Sequence, residues 1–139
     1  MITYNSHTYK MKLIQKAIIK RMGKFLILHR SPKAAFFPSH WDFPGGKLEQ
    51  GEDPRAGVER EVLEETGLRV TATAIAGAYD MVLRGIPHRF ILYQTEGSVG
   101  DVRLSGEHTT YRCVTRKGIL KLKTEPYIRI YFEKHSKGG

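Results

Sequence analysis

Cysteine is nearly missing from this chain: Cys113 is the only one in 139 residues. One thiol excludes an intrachain disulfide and any multi-cysteine metal site, and it fits a reducing compartment. Long apolar runs are missing as well. None approaches the ~18 residues of a membrane span, and the opening "MITYNSHTYKMK" lacks the continuous apolar stretch of a secretion signal. The expectation is a soluble, cytoplasmic protein with no membrane contact. Acids are scarce, 14 Asp+Glu against 23 Lys+Arg, for a formal net charge of +9. That field favours anionic partners, whether phosphate-rich small molecules, nucleic acid or acidic surfaces.

The basic residues gather near the two ends: Lys10, Lys12, Lys16, Lys20, Arg21 and Lys24, then Arg112, Arg116, Lys117, Lys121 and Lys123. Many alternate with apolar residues, so they read as the wet faces of strands and helices. A nucleic-acid groove is possible but not favoured. "PGGKLEQG" lacks the Lys-Ser/Thr ending of a nucleotide-kinase phosphate loop. His7, His29, His40, His88 and His135 show no metal-ligand spacing among themselves.

Apolar residues make up 40% of the chain, enough for one proper core, and no linker-like stretch interrupts it. One domain over residues 1–139 is expected. "KLIQKAIIKR" (12–21) and "KFLILHR" (24–30) read as strands joined by a turn through Gly23. "SPKAAFFPSH" reads as a loop carrying Phe36 and Phe37, and Trp41 and Phe43 anchor the Gly- and Pro-rich stretch after it. A helix follows, with Asp53 as cap, Pro54 in its first position and Gly67 just past its end. "LRVTATAIAGAYDMVL", "HRFILYQTEG" and "TTYRCVT" read as strands, and the stretch from Pro126 as a helix with Ile128, Tyr131 and Phe132 inward. The closing "SKGG" has no apolar group with which to dock. Strands around a central helix, with another at the end, predict an α/β sheet between helices.

The central helix spends the scarce acids on one short stretch, "EREVLEETG" from Glu59 to Gly67. At roughly 100° per residue, Glu61, Glu64 and Glu65 share one arc of its surface. Ala56, Val62 and Leu63 cluster on another side, expected to face the sheet. Gly57 lies on the glutamate side, leaving room there, and Glu59 points elsewhere, with no catalytic part expected. Such a stripe is either simply solvated or a set of hard oxygen donors for Mg²⁺ or Mn²⁺.

The preceding loop bears on that choice. From Gly46 to Leu68 the sequence runs "GKLEQGEDPRAGVEREVLEETGL", with Glu52 six residues after Gly46 and Arg60-Glu61 beginning the acidic run. This resembles the Nudix box of the Nudix (MutT-like) hydrolases at every fixed position. "WDFPGGK" before it and "GEHTTYRCV" later also look like the family.

The resemblance implies a Nudix-like α/β/α sandwich with a mixed central sheet. It also implies hydrolysis of a nucleoside diphosphate linked to another group. Glu61, Glu64 and Glu65 would hold Mg²⁺ or Mn²⁺ with a carbonyl from Gly46, and Arg60 and Glu52 would pair to fix the loop against the helix. The general base would be a helix glutamate or Glu107 in "SGEHTT". Arg30 and Lys47 are candidate phosphate contacts, and Phe36, Phe37 and Tyr79 could stack on a base. The first expectation is a (d)NTP cleaved to NMP and pyrophosphate. ADP-ribose, a dinucleoside polyphosphate or a capped RNA end are alternatives, as is a nucleotide- or RNA-binding module without catalysis. A homodimer is left open.

Overall fold

The long first strand divides in two. Lys12–Ile18 forms β1, pairing lapses at Ile19, and Lys20–Arg21 forms β2 in a different sheet. The computed structural model describes residues 11–135, so the expectations for His7, Lys10 and "SKGG" lie outside the described residues. Met22 and Gly23 turn the chain into β3 (Lys24–Arg30). After a loop come β4 (Trp41–Asp42), β5 (Gly45–Lys47), α1 (Pro54–Thr66), β6 (Arg69–Leu83), β7 (Ile86–Val99) and β8 (His108–Val114). Two helices close the order, α2 (Arg116–Ile119) and α3 (Pro126–Lys134).

One sheet runs β5-β1-β7-β6. It is mixed: β1 and β7 are parallel, from Lys12 opposite His88 to Ile18 opposite Gln94, while its other pairs are antiparallel. In the second sheet β3 pairs with β8 along one edge and with β2 and β4 along the other, all antiparallel.

Alternation along the strands builds two apolar layers. Ala17, Ile19, Leu26 and Leu28 face α1, where Val58 and Val62 meet them with Val70 and Tyr93. Ile18, Phe25 and Ile27 face the opposite way, onto Tyr127, Ile128, Tyr131 and Phe132 of α3. Helices on both sides of the sheets make the α/β/α sandwich. Each fully buried aliphatic or aromatic side chain in these layers contributes about 1.5–3 kcal/mol, and α3 buries Tyr127, Ile128, Tyr131 and Phe132 in this way. The C-terminal stretch is helical with Ile128, Tyr131 and Phe132 inward, as its spacing predicts.

The ends of α1 follow its sequence. Asp53 Oδ2 accepts from Ala56 N at 3.0 Å, and Gly67 (φ 76°) donates its N–H to Leu63 O. Its rotation does not follow. The buried residues are Gly57, Val58, Val62, Glu65 and Thr66, whereas Ala56 and Leu63 are exposed. Apolarity alone turns the helix by the wrong amount. Its true rotation seats Gly57 against the loop before it and brings a carboxylate, Glu65, onto the sheet.

Candidate active site

β5 brings the start of the box to the helix. Gly45 and Gly46 pair with Lys16 and Gln15 of β1. The fit is so close at Gly45 (φ 150°) that a Cβ there would lie 2.0 Å from Gln15 O, so only glycine permits this approach. Gly45 N then donates to Glu65 Oε1 at 2.8 Å. A Cβ on Gly46 would stand 2.5 Å from Glu61 Oε2, so its missing side chain makes the space that the Glu61 carboxylate occupies.

Arg60 gathers the acids of the loop and helix. Its Nε donates to Glu52 Oε2 at 2.7 Å and one terminal nitrogen to Glu52 Oε1 at 3.2 Å, a bidentate pair. The same guanidinium reaches Glu61 at 3.1 Å and Glu64 at 3.0 Å. Glu52 also accepts from Glu49 N at 3.1 Å, so the loop folds back on the ion pair.

Glu61, Glu64, Glu65 and Glu107 line one cleft of about 300 Å³ with Ser105 and Gly106. Glu61, Glu65 and Glu107 also line a larger adjoining cavity of about 380 Å³. Among the described residues, no three acidic, His or Cys side chains stand close enough to form a ready-made cation site. Arg60 holds Glu61 and Glu64 instead. The donor set nevertheless fits a hard divalent cation in its chemistry: the carboxylates of Glu61, Glu64, Glu65 and Glu107 supply oxygen donors around one cleft. Glu65 is only 6% exposed. Burial pushes its carboxyl up to about 8 despite the opposing effect of Lys16, and burial also raises Glu61.

The cavity stands on an ionic layer that the sequence hides. Lys16, read above as part of a wet face, is 4% exposed, and its ammonium meets Asp42 Oδ2 at 2.8 Å. β1 lies inside its sheet, between β5 and β7, and its two faces are covered by the layers under α1 and α3. Arg30 joins the same oxygen at 3.2 Å and approaches Glu125 at 3.5 Å, while Tyr127 donates to the other Asp42 oxygen. Burial opposes the charge on Asp42, but Lys16 and Arg30 outweigh it and hold the carboxyl at about 2. Glu125 goes the other way, raised well above the usual range by burial and by Asp42. Asp42 follows Trp41 in "WDFPGG", and its Lys16 partner is 26 residues away, so only the tertiary fold brings them together.

At the other end the cavity is walled by Phe36, Phe37, Leu83, His88 and Phe90. The structure brings Gly46, Lys47, Arg30, Glu61, Glu65 and Glu107 to this one cavity. Glu64 opens into the adjoining cleft, and Arg60 and Glu52 stand behind it. Arg30 is already engaged by Asp42, and Lys47 is exposed. Tyr79 takes no part, since it is buried in the layer under α3.

The family model of the NUDIX domain matches residues 16–133. The chain belongs to the Nudix family. Members hydrolyse pyrophosphate linkages, and this chain is such a hydrolase. It is 33% identical over 110 residues to a MutT-like protein of Streptomyces ambofaciens, covering 79% of this chain and 67% of that one. It is 35% identical over 77 residues to the CTP pyrophosphohydrolase of Escherichia coli, covering 54% and 56% respectively. Its fold matches the crystal structure of a MutT protein from Methanosarcina mazei with a TM-score of 0.86 and 35% identity, over 96% of this chain and 98% of that one. No helix among the described residues is long and apolar enough to cross a membrane.

Proposed function

We propose that this Nudix hydrolase is a divalent-cation-dependent nucleotide pyrophosphohydrolase, converting a nucleoside triphosphate and water to the monophosphate and pyrophosphate. The observation that carries this reading is one cavity with two chemically distinct ends. Box carboxylates line one end, aromatic side chains wall the other, and Lys12, Arg30 and Lys47 lie along the lining. A single aromatic end suits a substrate with one flat base.

In this reading Glu61, Glu64, Glu65 and the Gly46 carbonyl hold Mg²⁺ or Mn²⁺. When bound, the cation supplies charge neutralisation for the phosphate oxygens and acidifies water. Arg60, clamped by Glu52, releases Glu61 and Glu64 to that role while keeping loop and helix in register. Lys47 and Arg30 attract the phosphates, and Glu107, exposed across the cleft from the helix acids, takes the proton from the attacking water.

The test is a panel of nucleotides, ADP-ribose, dinucleoside polyphosphates and capped RNA, assayed with Mg²⁺ for released phosphate and pyrophosphate. Glu64→Gln should lower kcat at least about a hundredfold and weaken Mg²⁺ affinity, whereas Glu107→Gln should lower kcat alone. Undiminished turnover by Glu64→Gln would remove the metal-site assignment. Absence of turnover across the panel would remove the nucleotide-substrate assignment.

A further inference from the structure

Four non-glycine residues among those described have left-handed φ: Met22 (54°), Phe37 (47°), Ser39 (60°) and Arg84 (51°). Met22 lies in the β2–β3 turn, at the opposite end of β3 from the cavity. The other three lie in the two segments flanking the cavity's aromatic end. Backbone outliers that persist at a site point toward function, and Arg84 is the most informative of them. β6 and β7 are joined by Arg84 and Gly85 alone, with Leu83 paired to Ile86. Both joining residues have positive φ, 51° and 76°. Such a two-residue turn favours Asn, Asp or Gly, and the Cβ of a long side chain is crowded there.

The guanidinium at this disfavoured position makes two contacts with segment 31–40. It donates to Ala35 O at 2.6 Å and lies over the Phe36 ring, 4.8 Å from its centroid. From the other sheet, Arg30 Nε donates to Phe36 O at 3.0 Å. Two successive carbonyls of segment 31–40 are therefore held by arginines from two different sheets. Phe36 in turn meets His88 edge-on at 5.9 Å, so the held ring forms the cavity wall.

We propose that Arg84 is a positioning residue for substrate binding: through Phe36 it pins the Phe36–Phe37 lip over the cavity, ready for the flat end of a nucleotide. This rests on the reading that the cavity takes a nucleotide. The side chain itself is not part of the cavity lining. Because the lip is formed before substrate arrives, it holds ground state and transition state alike. Losing it raises KM and leaves kcat in place.

The test compares wild type with Arg84→Ala and Arg84→Asn, the second chosen because asparagine accepts the left-handed backbone and keeps the hairpin. Both variants should raise KM about tenfold with kcat within about twofold. The Asn variant should melt no lower than wild type. A readout independent of turnover is tryptic cleavage after the exposed Lys33, followed by mass spectrometry, which should accelerate in both variants. Unchanged KM in Arg84→Asn overturns the proposal, as does unchanged cleavage at Lys33. A fall in kcat at constant KM overturns it too. If wild type hydrolyses no nucleotide, the functional reading fails by itself. The Kd of a non-hydrolysable nucleoside triphosphate then replaces KM, with the same tenfold rise expected.

Discussion

Glu65 carries two demands that conflict. In its proposed role it presents an anionic oxygen to a cation, yet it is 6% exposed and its carboxyl stands at about 8, chiefly because of burial. Glu65→Gln keeps the acceptor for Gly45 N and removes the charge. It should abolish turnover while stabilising the metal-free protein by about 1–2 kcal/mol, measured by urea unfolding in EDTA at pH 8. His108 offers a cleaner titration. It is buried, neither ring nitrogen has a partner, and burial lowers its pKa from 6.5 to about 4. The fold therefore favours the neutral ring. This stability is present above pH 6.5 and is lost progressively as pH falls to 4, where the unfolded chain binds the extra proton. His108→Phe should flatten the stability profile across that window by about 2 kcal/mol, read from urea midpoints at several pH values.

At the scale of elements, α1 and the loop before it form one unit joined at Gly57. A Cβ there would come within 2.9 Å of the Glu52 carboxylate and 3.1 Å of Leu48. Gly57→Ala gains about 1 kcal/mol of helix propensity and displaces the acid that holds Arg60. The expected result is a melting temperature near wild type with kcat/KM down about tenfold and weaker Mg²⁺ activation. An unaltered metal titration would count against the clamp. The role of space at Gly57 is legible in the sequence, because it depends on helical spacing within one segment. So are the Asp53 cap and the Gly67 stop, which are local hydrogen-bond requirements. The break between β1 and β2 is not legible, since nothing in "KAIIKR" marks the residue where the chain changes sheets. Lys16, Asp42 and Glu125 are equally silent. A lysine among apolar neighbours looks solvated until helices pack on both faces of its sheet and Asp42 meets it there. The helix rotation escaped for a related reason: a carboxylate, Glu65, occupies an inward position that apolar patterning assigns to Leu63.

At the scale of the whole molecule, the charge of +9 acts against an acidic helix placed where an anionic substrate must arrive. Lys12, Lys16, Arg30 and Lys47 line the same cavity as that acidic patch, with Lys16 and Arg30 paired to Asp42. Under the proposed function, long-range attraction would bring the nucleotide in while a bound cation neutralised the patch itself. We expect kcat/KM for a nucleoside triphosphate to fall about tenfold as NaCl rises from roughly 0.05 to 0.5 M at fixed free Mg²⁺. A flat response in stopped assays would mean that the field plays no part in encounter. The parallel pairing of β1 with β7 has a further consequence, for the order in which the protein comes into being. The first strand of its sheet waits for partners 76 residues downstream, Lys12 for His88 and Ile18 for Gln94. During synthesis the complete box therefore emerges before the chain that closes its cavity has been made. A nascent chain ending at Leu68 holds every residue of the motif, yet it has no Leu83, His88 or Phe90 to wall a pocket and no β8 or α3 to close the second layer. Chemistry begins only when the last third of the protein has folded onto the first.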